Sequence, residues 1–141
     1  MILLDTDHLT VLQIGKGERY QRLILRLAQS LKPLATTIVN VEEQMRGWLA
    51  SIAKERRPER QVRAYLQLAD LFARFARFDI SHFDESAAHI FLSLKTGRGH
   101  IGNQDLKIAA IALANDALLL TANRQDFEQV PGLRFENWMD G

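Results

Sequence analysis

Short, continuously apolar runs alternate with segments of helical periodicity along the chain. The first run, Ile2–Leu4, is apolar at every position, which is typical of a strand buried on both faces of a parallel sheet. Parallel strands need crossover connections, usually helices, and the segments between the runs have the pattern to supply them. The alternation therefore predicts a three-layer α/β fold, in which helices cover both faces of a central parallel sheet of about five strands. The predicted strands are 2–4, 34–39, 78–80, 118–121 and 133–136.

The length and composition narrow the class of protein. A chain of 141 residues is in the range of one domain, and we expect a single domain over 1–141. Hydrophobic residues make up 47% and charged residues 25%, which is typical of a soluble globular protein. The absence of cysteine excludes disulfides and thiolate-bound metals. No apolar stretch approaches the ~20 residues that cross a bilayer, and no basic leader precedes the first apolar run. We therefore expect a cytoplasmic protein without a membrane partner.

Two of the predicted helices have distinctive patterns. Segment 59–77 has apolar residues at the period of an amphipathic helix, and segment 103–115 is apolar almost all round, which predicts a buried helix. A turn region is predicted from Asn123 to Asp126. The other predicted helices are 8–14, 18–31, a helix from about 41 to the charged run 54–57, and 84–95. The apolar positions of segment 59–77 are Val62, Tyr65, Leu66, Ala69, Phe72, Ala73 and Ala76.

Acidic residues occupy equivalent places at three of these elements. Asp5 follows the first strand, and Asp105 lies in the first turn of the buried helix. Glu42 or Glu43 lies in the first turns after the second strand. In a parallel sheet the strand C-termini and the helix N-termini share one edge, so these positions can converge. Clustered carboxylates repel one another, and their oxygens are the ligands of hard divalent cations. The pattern predicts a metal site suited to phosphodiester hydrolysis, in which the metal activates a water and neutralises phosphate charge.

A simpler interpretation of the first acids is that they cap a helix. Asp is a favoured N-cap residue. Helix capping explains Asp7 as well as a role in the metal site does, but it explains Asp5 less well. Other chemistry finds less support, because the four histidines lack metal-ligand spacing and no serine lies in a nucleophile elbow. The triplet Gly97-Arg98-Gly99 is too short for a phosphate-binding loop and predicts a helix stop.

Basic residues concentrate in the central third of the chain, although the formal net charge is only +1. Arg57, Arg60 and Arg63 are the core of this cluster. Two interpretations stay open for it: a surface that tracks a phosphate backbone, and the solvated face of two helices.

Four segments in a fixed order carry a family resemblance. They are LLDTDHL, IVNVEEQMRG, IGNQDLKIAAIAL and LLLTANRQDFEQVPGLRFENW. Together they resemble a PIN-domain ribonuclease, in particular a VapC-type toxin of a bacterial toxin–antitoxin pair. The resemblance implies that Asp5, Glu43 and Asp105 are catalytic, metal-binding residues. It selects Glu43 over Glu42 because the family's glutamate lies four residues before a glycine, here Gly47.

The chain departs from the family at the fourth position of the site. An aspartate is frequent there, and this chain has Asn123. An amide oxygen can contact a metal but brings no negative charge, so a second metal would be held weakly. Asp126 is the alternative acid nearby.

The resemblance also implies a mechanism and partners. It implies a PIN-like fold and an endoribonuclease that uses Mg²⁺ or Mn²⁺ and acts on RNA. Arg57, Arg60 and Arg63 would then be substrate-binding residues. It further implies a homodimer, and a cognate VapB-like antitoxin whose tail enters the groove at the site.

Two other functions compete with this one. The strand ending in Asp5-Thr6-Asp7 is similar to the nucleophile motif of haloacid-dehalogenase-like phosphatases, but His8 and Leu9 stand where that motif has glycine and threonine. The other alternative is a catalytically weak PIN-like module that binds RNA or a protein partner, which the neutral Asn123 keeps open.

Overall fold

Helices and strands alternate along the chain in the predicted manner. A computed structural model describes residues 1–97 and 99–141, so Arg98 of the glycine-flanked triplet lies outside the described residues. The strands are β1 (Ile2–Leu4), β2 (Leu34–Thr37), β3 (Asp79–Ser81), β4 (Leu118–Leu120) and β5 (Arg134–Glu136). The helices are α1 (Thr6–Ile14), α2 (Glu18–Ser30), α3 (Ile38–Lys54), α4 (Pro58–Phe75), α5 (Glu85–Lys95), α6 (Asn103–Ala114) and α7 (Arg124–Phe127).

The strand that begins the chain lies in the middle of the sheet. The five strands are all parallel and follow the order β3-β2-β1-β4-β5. In this register Leu3 lies between Ala35 of β2 and Leu119 of β4. The predicted parallel sheet of five strands is thus confirmed. Its order brings the carboxyl ends of β1, β2 and β4 side by side.

Side chains of β1 point alternately into two hydrophobic cores, one on each face of the sheet. Leu3 packs into a core with residues of α5 and α6, whereas Ile2 and Leu4 pack into a core with residues of α1, α2 and α4. All three side chains are at most 1% exposed. Each such burial contributes roughly 1.5–3 kcal/mol. The continuous apolar run is explained by this two-sided burial, and the three layers are confirmed.

The helix predicted to be buried is α6. Five consecutive residues from Ile108 to Ala112 are fully buried, because α6 is covered by both the sheet and α5. A helix with core on most of its circumference needs apolar residues all round. Within the described residues, no helix combines the length and the apolar character needed to span a lipid bilayer.

Side-chain caps account for three of the differences between the predicted and the observed elements. The helix α1 begins at Thr6, since Asp5 is its N-cap. The strand predicted over 34–39 ends at Thr37, whose hydroxyl accepts a hydrogen bond from the Asn40 amide and starts α3. The region predicted as a turn contains the short helix α7, capped by Asn123.

The amphipathic helix of the central segment is confirmed as α4, but its apolar stripe does not face the core. Leu66 and Phe72 are 60% and 65% exposed, and Val62 and Tyr65 are similarly open. The core is contacted instead by Leu71 and Phe75, which lie on a different side of the helix. The periodicity therefore identified the helix but not the side that packs, and α4 presents an unpartnered apolar face.

Candidate active site

Polar and acidic side chains gather where β1, β2 and β4 end. Asp5 follows β1 directly, Thr37 ends β2, and Thr121 follows β4. The N-terminal turns of α3 and α6 lie at the same edge, as they must when helices follow parallel strands. The sheet order thus explains how residues far apart in the chain meet in one place.

Asp5 is the most fixed carboxylate of this cluster. One of its oxygens, Oδ1, accepts hydrogen bonds from the Asn40 side-chain amide at 2.8 Å and from the Thr6 backbone N–H at 2.9 Å. The other, Oδ2, accepts from the Thr121 hydroxyl at 2.8 Å. Burial raises the pKa of Asp5, the charge of Asp7 adds to this, and the three hydrogen bonds oppose it. Asp5 is therefore both the helix cap and an oriented site carboxylate, and the two interpretations of it do not exclude each other.

Sequence reasoning missed the neutral residues that orient Asp5. Asn40 is fully buried and receives a hydrogen bond from the Thr37 hydroxyl at 2.6 Å, which leaves its NH₂ group to donate to Asp5. Thr121 is 1% exposed and reaches Asp5 from the other side. Asn40 follows the N-cap of α3, which is Thr37. The available signal was a single polar residue within the apolar run Ile38-Val39-Asn40-Val41, because buried amides need partners.

Asp7 does not cap α1, contrary to the interpretation weighed from the sequence. Its carboxylate accepts hydrogen bonds from His8 Nδ1 at 2.5 Å and from the Ala122 backbone N–H at 2.9 Å. Burial acts to raise the pKa of Asp7, but the hydrogen bonds from His8 and Ala122 outweigh it and lower the pKa. His8 Nε2 in turn accepts from the Trp138 backbone N–H at 3.2 Å. Asp7 and His8 therefore tie the first turn of α1 to the residue after β4 and to the C-terminal segment.

The two neighbouring glutamates of α3 point in different directions. Glu43 is half-buried and accepts a hydrogen bond from the Thr6 hydroxyl at 3.4 Å. Burial and the nearby charge of Asp5 raise the pKa of Glu43. Glu42 instead accepts from the Gln104 amide at 2.9 Å and pairs with Arg46. The Gln104 hydrogen bond is the main reason that the pKa of Glu42 is lowered. Only Glu43 faces the carboxylate cluster.

The third acid, Asp105, has a strongly raised pKa, which indicates that carboxylates crowd around it. Partial burial and the charge of Asp5 are the largest causes that raise its pKa to about 7. A hydrogen bond with Asp126 and the charge of Glu43 add to the shift. Asp126 thus lies against Asp105, although sequence reasoning treated it only as an alternative to Asn123.

Asn123 bridges these two acids through its amide group. Its NH₂ donates to Asp105 Oδ2 at 3.3 Å and to Asp126 Oδ2 at 3.1 Å. Its side-chain oxygen accepts from the Asp126 backbone N–H at 3.4 Å as the cap of α7. In this arrangement the amide partly compensates two carboxylates, and its oxygen is already engaged.

The donor set of the cluster fits a hard divalent cation that keeps part of its water shell. All the acidic side chains offer oxygen, and the pKa values of Asp5, Glu43 and Asp105 are all raised. Among residues 1–97 and 99–141, however, no three acidic or imidazole side chains are close enough to enclose one ion. Mg²⁺ is usually bound by one or two carboxylates with several waters, which suits such an open cluster. Asp5, Glu43 and Asp105 are the residues that would hold it.

The crowding of Asp105 predicts an unusual pH dependence of stability in the metal-free protein. The folded state retains the Asp105 proton up to a pKa of about 7, whereas the unfolded chain releases it near 3.8. Between these values the folded state binds more protons, so the free energy of unfolding falls as the pH rises. We expect Asp105→Asn to remove this part of the slope. Urea unfolding in EDTA across that pH range measures it, with exposed Asp116→Asn as the control. Equal slopes for the wild type and Asp105→Asn would contradict the crowding.

The structure does not bring the three predicted substrate-binding arginines to this cluster. Arg57, Arg60 and Arg63 are exposed around the N-terminus of α4 and form no ion pair within the described part of the chain. Arg74, near the other end of α4, lies in one groove with Thr6. At 1.5 Å per residue, Arg60 and Arg74 are about 21 Å apart along the helix.

Comparison with known proteins identifies relatives of this arrangement. The family model described as PIN domain matches residues 2–133. A curated relative, ribonuclease VapC2 of Rickettsia felis, is 36% identical over 73 residues, which are 49% of this chain and 53% of the relative. The chain thus spans about half the length of the curated relative that it matches.

Solved structures match over nearly the full length. VapBC2 from Rickettsia felis bound to a DNA fragment from their promoter has a TM-score of 0.69 at 26% identity and covers 98% of this chain and 99% of its own. VapBC-1 from nontypeable Haemophilus influenzae has a TM-score of 0.72 at 24% identity and covers 99% and 100%. The second likeness is one of fold alone.

Proposed function

Because the chain belongs to the PIN domain family, we propose that it is a metal-dependent endoribonuclease toxin that hydrolyses RNA phosphodiester bonds and is neutralised by a VapB-like antitoxin. One observation supports this proposal most: Asp5, Glu43 and Asp105 converge at the carboxyl edge of the sheet, closely enough that the charge of Asp5 raises the pKa of both Glu43 and Asp105. A cluster of this kind is costly to fold without a cation, because its like charges repel one another.

The catalytic residues of the proposed enzyme are Asp5, Glu43 and Asp105, with Mg²⁺ or Mn²⁺ as the cation. When bound, such a cation lowers the pKa of a coordinated water and neutralises charge that develops on the phosphate. Asn123 is the further ligand implied by the family, in competition with its contacts to Asp105 and Asp126.

The surrounding residues have the geometry to hold the carboxylates in place. Asn40 and Thr121 fix the plane of the Asp5 carboxylate, since they donate to its two different oxygens. Thr6 contacts Glu43 through its hydroxyl. Residues that orient metal-binding side chains typically change activity by about 10–100-fold when they are replaced. We propose that these neutral residues act as positioning residues.

The proposal is tested with purified protein and a fluorescently labelled single-stranded RNA. We expect cleavage with Mg²⁺ or Mn²⁺, none in excess EDTA, and recovery when the metal is restored. Cleavage that is equal in EDTA would contradict metal dependence. A folded protein that binds the RNA but never cuts it would instead support the catalytically weak PIN-like module.

The exposed arginines give a prediction about RNA binding. Replacing Arg57, Arg60 and Arg63 by Gln should flatten the salt dependence of RNA affinity, because each lost phosphate contact reduces the slope of log K against log salt by ~0.7. Three contacts would account for a change of about 2 in that slope. Fluorescence anisotropy over a salt series measures it. The control is the triple Gln variant of α2 at Arg19, Arg22 and Arg26, which are engaged in ion pairs.

An unchanged slope in the α4 variant would assign these three arginines to a solvated helical face. A similar loss in both triple variants would show only the effect of total charge.

The apolar face of α4 supports the proposed homodimer. Its row of exposed apolar side chains runs along much of the helix, and Leu66 lies near its middle. Arg63 and Asp70 lie on the same flank of this row. Along the helix axis, Arg63 comes before Leu66 and Asp70 comes after it. Antiparallel pairing of two α4 helices about a two-fold axis would therefore bring opposite charges together and bury the apolar row.

The dimer is tested by the mass of the protein in solution. We expect Leu66→Glu to convert a dimer to a monomer, since a carboxylate would be buried in the interface. Leu92→Glu on α5 is a matched control, because Leu92 is 61% exposed and Leu66 60%. A monomeric mass for the wild type in light scattering would contradict the dimer. The antitoxin would then be the candidate partner of the apolar face of α4.

A further inference from the structure

A groove lies beside the carboxylate cluster, between α1, α3 and α4. Its volume is about 450 Å³, within the range of sites that take a small organic group. Thr6 belongs to both places, because it lines the groove and its hydroxyl contacts Glu43. The Thr6 hydroxyl also accepts a hydrogen bond from Asn40 at 3.1 Å, and Asn40 holds Asp5. The groove is therefore continuous with the proposed site of phosphodiester cleavage.

The lining of the groove is chemically different from the cluster next to it. Gln13, Gln44 and Gln67 contribute amides from the three helices, and Trp48 contributes an indole ring. Among the described lining residues none carries a carboxylate. Amides both donate and accept hydrogen bonds, as the edges of nucleobases do, and an aromatic ring offers a face on which a base can stack.

Arg74 adds an unsatisfied cation to this lining. Its Nε atom is buried, and it has no hydrogen-bond partner in residues 1–97 and 99–141. A buried guanidinium N–H without a partner is unfavourable, and guanidinium groups match the oxygens of phosphate. The groove thus combines groups suited to a base with one suited to the RNA backbone.

Gly47 keeps the groove open. It lies within α3, where glycine is less favourable than alanine because of its backbone freedom. A Cβ atom placed there would meet nothing within 4 Å, so no close packing requires the glycine. A side chain at position 47 would instead extend into the groove, which Gly47 lines.

We propose that this groove binds a nucleotide of single-stranded RNA next to the phosphate that is cleaved, with the base among the amides and Trp48 and the backbone at Arg74. The inference rests on the proposed ribonuclease function and adds to it a subsite that reads the base. Gln44 and Gln67 are then specificity-determining residues, because their amides meet the edge of that base.

The test compares two variants that fill the groove or remove its positive charge with a control variant on α3 outside the groove. Gly47→Leu fills the groove, and Arg74→Gln removes its positive charge. Ala53→Leu is the control, since Ala53 is exposed on α3 and does not line the groove. Leucine favours helix more than glycine does, so Gly47→Leu should melt no lower than the wild type. The substrates are short single-stranded oligonucleotides of uridine, cytidine or adenosine and an abasic oligonucleotide, assayed for cleavage with Mn²⁺ and for binding by anisotropy.

We expect Gly47→Leu and Arg74→Gln to raise KM, or Kd, on the order of tenfold, the scale of losing one stacked base. Gly47→Leu should also abolish the advantage of base-bearing over abasic substrates, and Ala53→Leu should change neither quantity. Unchanged KM and Kd in both groove variants, with active wild-type enzyme, would overturn the subsite and leave the ribonuclease function intact. A change confined to kcat would also overturn it, since it would assign the effect to Glu43, four residues earlier. Wild-type protein that neither cleaves nor binds RNA would overturn both proposals.

Discussion

Replacing Asp5 or Asp105 by asparagine is expected to abolish RNA cleavage while the protein stays folded. Each variant keeps the side-chain shape but removes a charge that would hold the cation, and the loss of one preorganised charged group typically costs on the order of 100–1,000-fold in kcat. Asn is as good an N-cap as Asp, so Asp5→Asn should preserve the start of α1. Asp105→Asn relieves repulsion from Asp5 and Glu43 and should stabilise the metal-free protein near neutral pH.

Steady-state cleavage of labelled RNA and thermal unfolding in EDTA measure the two effects separately. Asp116→Asn is the control, because its side chain is 97% exposed and pairs with Arg134 at the surface. Full activity in either site variant with intact folding would show that the carboxylate cluster is not the catalytic centre. Loss of activity together with loss of folding in Asp5→Asn would mean that its hydrogen bonds to Asn40 and Thr121 are mainly structural.

The second large effect is expected at Glu43, and its neighbour provides the comparison. Glu43→Gln should lower kcat on the order of 100-fold, because it removes a carboxylate of the cluster and keeps the side-chain length. Glu42→Gln should change kcat by no more than about twofold, as expected of a surface position. Glu42 contacts Gln104 and Arg46 outside the cluster, so its loss removes no hydrogen bond to Asp5, Glu43 or Asp105.

The same kinetic assay, with a melting curve for each variant, measures this pair. The reverse order, with Glu42→Gln inactive and Glu43→Gln active, would mean that α3 presents its other glutamate to the substrate. Equal losses in both variants would point to damage of α3 as a whole.

The acids at the site were accessible to sequence reasoning because they follow a general rule of parallel sheets. Asp5 and Asp105 each lie just after a strand or at a helix start, and such positions share one edge whatever the details of packing. The partners of Asp5 follow no such rule. Asn40 and Thr121 are 35 and 116 residues away from it in the chain, and their hydrogen bonds depend on the lateral order of β2, β1 and β4.

Charge and apolar patterns along α4 show the limits of local reasoning in another way. The concentration of arginines is visible in the sequence. Its pattern does not show that Arg60 lies about 21 Å from Arg74 along one helix. Similarly, the period of Val62, Leu66 and Phe72 is helical whether those residues face the core or a partner. Only the position of α4 on the molecule distinguishes these cases.

The sequence by itself determined the strands, most of the helices, the parallel three-layer fold and the candidate acids, because all of these depend on patterns of a few neighbouring residues. Tertiary structure alone decided the rest. It decided which face of α3 meets Asp5, which the helical period leaves open between Glu42 and Glu43 and which the family resemblance had resolved in favour of Glu43. It crowded Asp105 against Asp126 until the pKa of Asp105 rose to about 7, and it opened a groove beside Thr6. These features arise from distances between residues on different elements, which burial and strand order establish only when the whole chain has folded.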